Sequence, residues 1–291
     1  MDFNKLLSRV GSENFPVALG GCRSDEMEHD CCEYNITIFD GKKESDTIIN
    51  FGNDLVQIHH GNLAETDSRI LKQFENLRII QDEKWDLRMF KSKIKEKNEQ
   101  ITKASAKSCL IDASVCITKS NDSLRNSDVF SSSWLKCAAY FLADAVCLLN
   151  LKRPSPSHSL QFIRKFNTNN FHENISIITD IIGLERATTS LLSRMCKSTI
   201  GFSDMVEKND SSKIIQKKYE YLTEKSLLSD CYFYFGYINR DNFIKIKNDI
   251  LKKPELIHVL KTAFDLENDT VKLSSHLKKL QNSVNSLLES T

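Results

Sequence analysis

The chain lacks the features that mark several common classes. Its 40 basic residues nearly cancel its 39 acidic ones, so no strong global field draws it to nucleic acid, although a local patch is compatible with that balance. No CxxC pair occurs among the nine scattered cysteines (Cys22, Cys31, Cys32, Cys109, Cys116, Cys137, Cys147, Cys196 and Cys231), which leaves a zinc knuckle without support. No apolar run approaches the ~20 residues that span a bilayer. The opening MDFNKLLSRVGSENF has no long apolar signal core. Walker GxxxxGK[ST] and Rossmann GxGxxG patterns are absent, which sets those nucleotide folds aside. A reducing, cytoplasmic setting without membrane contact is the expectation. The sequons at Asn35 and Asn174 then read as accidental. There is no internal repeat.

What is present is core material. Hydrophobic residues make up 40% of 291, ample for folding and enough for two domains or one large one. Residues 2–10 read as a short amphipathic helix with Phe3, Leu6, Leu7 and Val10 on one side. Strands are expected at Phe15–Leu19, Tyr34–Phe39, Thr47–Phe51 and Leu55–His59, with a tight-turn signal at Asp40-Gly41. Thr66–Asn76 reads as a helix capped by Thr66 or Asp67. Leu77–Ile80 is one more short apolar run.

Past Asp86 glycine and proline almost vanish and the apolar period becomes helical. Helices are expected at about 88–119, 130–151, 157–166, 171–199, 211–236, 241–251, 254–265 and 268–289. In the most apolar of them Trp134, Leu135, Ala138, Phe141, Leu142, Ala145 and Leu149 recur at three and four residues, and Cys137 and Cys147 act as small hydrophobes. The expected class is therefore α+β: a small mixed-sheet domain over 1–90 and an all-helical domain over 91–291.

One stretch concentrates the chemistry. In ALGGCRSDEMEHDCCEYNITIFDG, residues 18–41, Gly20 and Gly21 close an apolar run, a polar loop follows, and Glu33 and Asn35 alternate with Tyr34 and Ile36. Alternate strand residues share a face, ~6.5–7 Å apart. This order resembles the minimal nucleotidyltransferases of the DNA-polymerase-β superfamily, in which a Gly-Gly or Gly-Ser pair precedes a carboxylate-x-carboxylate strand. The resemblance covers residues 1–96 in order and spacing, including LRIIQDEKWDLRMFKSKIKE at 77–96.

The resemblance implies that Gly20 and Gly21 let the backbone approach the phosphates of a nucleoside triphosphate, with Cys22 where serine is common; Arg23 and Ser24, directly after the glycines, could touch a phosphate or equally be plain loop residues. The resemblance implies that Glu33 and Asn35 take the metal-ligand positions for Mg²⁺, and that a third carboxylate comes from a neighbouring strand, for which Asp54 is the nearest candidate. Such a site transfers a nucleoside monophosphate to a hydroxyl acceptor, with the helical domain shaping the acceptor pocket. Asn35 departs from the pattern. It replaces an anion with a neutral amide, where Mg²⁺ prefers charged oxygens, so weakened metal binding is expected unless Asp25 or Asp30 substitutes.

Two other readings stand beside it. One is a catalytically impaired descendant serving as a nucleotide- or protein-binding module. The other is a helical interaction protein that recruits a protein partner. His59 and His60, adjacent on a strand, point to opposite faces and do not easily share an ion. KSKIKEK at 91–97 reads as a solvated helix face. CYFYFGYI at 231–238 reads as core packing rather than base stacking.

Overall fold

The computed structural model describes residues 1–25, 28–166, 171–206, 210–253 and 255–291. It forms two compact units: Met1–Ala104 with Glu207–Ile214, and Ser105–Val206 with Ile215–Thr291. The architecture is α+β, a five-stranded mixed sheet near the N-terminus and a long all-helical region after it.

The first unit begins with α1 (Phe3–Val10), whose first turn is capped by Asp2, accepting from the Lys5 amide at 3.2 Å. Strands β1 (Val17–Gly20), β2 (Tyr34–Ile38), β3 (Thr47–Phe51), β4 (Asp54–His60) and β5 (Arg78–Gln81) follow, with α2 (Ser68–Gln73) between the last two. The sheet order is β3-β4-β2-β1-β5. Among the described strands only β2 and β4 pair in parallel, with Asn35 beside Gln57 and Thr37 beside His59. The other pairs are antiparallel, and β1 places Gly20 opposite Asn35.

Period-2 alternation separates the two faces. On one, Val17, Leu19, Ile36, Ile38, Val56 and Ile58 pack with Leu6 and Leu7 of α1. On the other, Ala18 and Phe39 pack with Phe74, Leu77, and Leu87 and Phe90 of α3 (Asp86–Glu96). The rings of Phe39, Phe74 and Phe90 meet edge to face, with centroids 5.3–6.2 Å apart. The face beneath α1 is apolar almost throughout. The opposite face is apolar at the Phe39 end and polar at the Gly20 end, so the sheet has one polar corner.

The division between units falls within α4 (Asn98–Arg125). The helical unit is built on α5 (Ser131–Leu149), which packs against α6 (Ser159–Lys165), α7 (His172–Ile182), α10 (Leu228–Lys252) and α12 (Thr270–Ser290). By length and mean hydropathy α5 is apolar enough to cross a membrane, but 89% of it is buried inside the protein, as a core helix is. Its most enclosed aromatic is Tyr140, fully buried, whereas Phe141 is only partly buried under the Arg240 guanidinium. Burial pushes the Cys137 and Cys147 thiols far up, consistent with small apolar residues. The 231–238 stretch lies within α10, and its aromatic side chains are core residues.

Four expected helices are differently divided. The first breaks at Lys97 into α3 and α4. The fourth ends at Gly183, with α8 (Thr189–Val206) beginning six residues later. The fifth and sixth regroup as α9 (Ser211–Glu224) and α10, because Ser226 adopts a left-handed φ of 57°. Between α10 and α12 runs α11 (Glu255–Ala263).

Candidate functional site

The polar corner is a hydrogen-bonded chain running across β2 and β4. Asn35 Nδ2 donates to Glu33 Oε1 at 3.3 Å. The Asn35 carboxamide oxygen lies 3.0 Å from His59 Nε2. His59 Nδ1 lies 2.9 Å from Asp46 Oδ2, and Gln57 Nε2 donates to that same oxygen at 2.9 Å. The parallel β2–β4 register is the cause: it sets Gln57 and His59 beside Asn35 and Thr37 on one face. Asp46 enters from the connection immediately before β3.

The protons follow from these partners. With the Asn35 amide given to Glu33, its oxygen accepts from His59 Nε2–H. An ionised Asp46 only accepts, so Nδ1 donates as well. Both contacts are hydrogen bonds together only when each ring nitrogen carries a proton. His59 lies between two carboxylates, Glu33 reached through Asn35 and Asp46 reached directly. Glu33 is buried, while the side chains of His59 and Asp46 are 30% and 36% exposed. Solvent therefore reaches one end of the chain.

Gly21 begins a single 3-10 turn, Gly21–Ser24, with a left-handed φ of 68°. A Cβ at Gly21 would overlap the Asn35 carboxamide. The close approach this glycine permits is thus made first by Asn35. Arg23 is directed back into its own loop. Its Nε donates to the Cys32 carbonyl at 2.8 Å, Nη2 to the Asp30 carbonyl at 3.4 Å, and the guanidinium stacks 4.2 Å from the Tyr34 ring centroid. Cys22 is buried.

Glu33 and Asn35 therefore come together beside Gly20 and Gly21, and Asp54 does not join them. It alternates with Leu55 and Gln57 and so projects to the opposite face, with Val56 and Ile58. Asp46 brings the second carboxylate instead, and His59 brings an imidazole that was weighed from the sequence only as a metal ligand paired with His60. The parallel register links His59 to the Asn35 row, and no short-range pattern announces that register. His60 points the other way, with Nδ1 2.9 Å from Asp40 Oδ2.

The donor set fits Mg²⁺ poorly. Only Glu33 of the alternating pair is an anion. The Asn35 oxygen and Asp46 Oδ2 are both directed at a ring nitrogen, and Mg²⁺ takes oxygens in near-octahedral array.

No family model matches the chain, and no curated protein matches it. Among solved structures it is similar to a nucleotidyltransferase-like protein from Exiguobacterium sibiricum 255-15, at 10% identity over 88% of this chain and 89% of that one, with a TM-score of 0.39.

Proposed function

We propose that this is a nucleotidyltransferase-like protein whose polar corner binds a nucleotide without catalysing metal-dependent transfer. The observation that supports it is the His59 bridge. In the family that the Gly20-Gly21…Glu33-Tyr34-Asn35 motif resembles, a divalent ion compensates clustered carboxylates and phosphates. Here an imidazole ring lies between Asn35 and Asp46 and serves that compensation from within the chain. The partly exposed His59, hydrogen-bonded to the Asn35 that packs on Gly21, would offer one positive charge to a phosphate. It supplies no pair of ions to clamp the attacking and leaving oxygens.

The experiment is a melting series for the native chain and Asn35→Asp, with a panel of nucleoside triphosphates, each with and without Mg²⁺. On this reading any shift given by a triphosphate to the native chain is the same with and without the metal. Asn35→Asp restores an anion at the family's spacing. It melts slightly lower alone, because it faces Glu33, and gains a Mg²⁺-dependent shift. A native chain that is stabilised by triphosphate only with Mg²⁺, and turns the triphosphate over, contradicts the reading. Silence toward every nucleotide passes the function to the helical unit as an interaction module.

A second reading has one observation in its favour: Asp46 and Glu33 are two carboxylates on one face. If His59 swings out, they form a metal pair, and the same series would then show the native chain responding to Mg²⁺.

A further inference from the structure

The helical unit holds a second polar feature, unrelated to the sheet corner. A cleft of about 360 Å³ opens among the end of α4, the start of α5 and the last turns of α10. Its floor is Trp134, 6% exposed. Two lysines cover the indole. Lys119 Nζ of α4 lies 4.5 Å from the ring centroid, and Lys247 Nζ of α10 lies 4.9 Å from it. Partial burial, and then the neighbouring Lys119 within hydrogen-bonding reach, lower the Lys247 pKa. Among the described residues neither ammonium has a carboxylate partner.

Two like charges gathered over one ring are costly until an anion joins them. The acids of the cleft do not do so. Asp128 is occupied by the Ser123 hydroxyl at 3.2 Å and the Phe130 amide at 3.3 Å, which fix the α4–α5 connection. Asp122, Asn126 and Asn248 line the cleft beyond the lysines. They are neutral or acidic acceptors and donors of the kind that meet hydroxyl groups. The volume lies within the range of small-molecule sites, ~300–1,000 Å³. Because the lysines already occupy the indole, it is not offered to a nucleobase for stacking.

The geometry points to a binding site for a phosphorylated polyol, a sugar phosphate or its like. Lys119 and Lys247 hold the phosphate, and Asp122, Asn126 and Asn248 meet the hydroxyls.

The chain has two tryptophans, and Trp85 is 63% exposed, so Trp85→Phe leaves Trp134 as the sole reporter. In that full-length background, emission is followed against inorganic phosphate, glucose 6-phosphate and glucose. Saturable quenching or enhancement by glucose 6-phosphate, at lower concentration than by phosphate, is expected, with none from glucose. Lys119→Gln and Lys247→Gln each weaken glucose 6-phosphate by about tenfold or more, the worth of a charged hydrogen bond. Asn248→Ala weakens glucose 6-phosphate and leaves phosphate unchanged. Lys119→Gln without ligand melts at or above the native temperature, because it removes repulsion, and this certifies its fold. A Trp134 signal unmoved by both phosphates overturns the site. So does undiminished affinity in the lysine variants. Equal affinity for phosphate and glucose 6-phosphate overturns the polyol assignment.

Discussion

The two units treat polar side chains in opposite ways. In the sheet unit they are strung along one face as Glu33, Asn35, His59, Asp46 and Gln57, and the end of the string is open to solvent. In the helical unit two ionic groups are instead sealed inside the core. Arg240 Nη1 of α10 meets Asp144 Oδ2 of α5 at 2.7 Å with both side chains under 8% exposed, and the Tyr237 hydroxyl donates to the same oxygen at 3.1 Å. Lys136 of α5 donates to the Tyr232 hydroxyl at 3.0 Å within the core. Sealed ions fix how helices match one another, and removing one partner leaves a charge stranded. Half-exposed ions cost little to remove and stay available to a ligand.

The contrast is sharpest at Arg240. Arg240→Met leaves Asp144 buried without its cation and should cost about 3–5 kcal/mol, read as a fall in the urea midpoint. His59→Gln, at the exposed corner, should cost under about 1 kcal/mol in the same assay. Comparable losses at the two sites would erase the distinction.

Packing gives the next effect. A Cβ on Gly236 of α10 would run into the Tyr140 hydroxyl. Tyr140 is enclosed by Phe233, Tyr237 and Phe264, so neither side yields cheaply. Gly236→Ala should destabilise by about 1–3 kcal/mol by overpacking, again measured by denaturant.

Acidity separates the units further. Burial lowers the Lys136 ammonium from 10.5 to about 7. Between those values the unfolded chain holds a proton that the folded chain has lost, so stability rises with pH across the window, and below about 7 both states are charged and the gain is absent. The slope contributed is on the order of 1 kcal/mol per pH unit. Lys136→Met should flatten the rise in melting temperature between pH 7 and 10. A native curve already flat there would contradict the buried-lysine account. The smallest effect is expected at the corner: Asn35→Asp, without ligand, should lower the melting temperature by a degree or two, the scale of about 0.5 kcal/mol in a chain of this size.

Much of the scaffold was legible from period alone. The shift from alternating to helical spacing near Asp86 marks where the sheet gives way to helices; four strands were found within a few residues, and β5 was seen only as a short apolar run. Local punctuation explains where helix boundaries slipped. Ser226 and Lys97 carry no strong breaker signal, whereas Gly183 did and was read through. At the site, Glu33 and Asn35 were legible because two residues on one strand need only the period of two. Asp54 was misplaced by one residue of alternation, which is enough to reverse a face. Asp46 and His59 were not legible as partners, because they meet Asn35 through the β2–β4 pairing, and pairing is long-range. Phe141 and Tyr140 show the same limit inside α5. That helix is apolar nearly all round, so its period could not tell the deepest position from its neighbour.

The central claim is that His59, and not a divalent ion, balances the carboxylates of the corner. The most direct measurement is the ¹⁵N NMR spectrum of the imidazole of His59, assigned by comparison with His59→Gln, before and after addition of Mg²⁺ with a nucleoside triphosphate. The account predicts protons on both ring nitrogens beforehand, and a pattern that Mg²⁺ alone does not change. A ring with one bare nitrogen would show that His59 is not the balancing cation, and a His59 signal that moves on adding Mg²⁺ alone would show that the corner takes the metal.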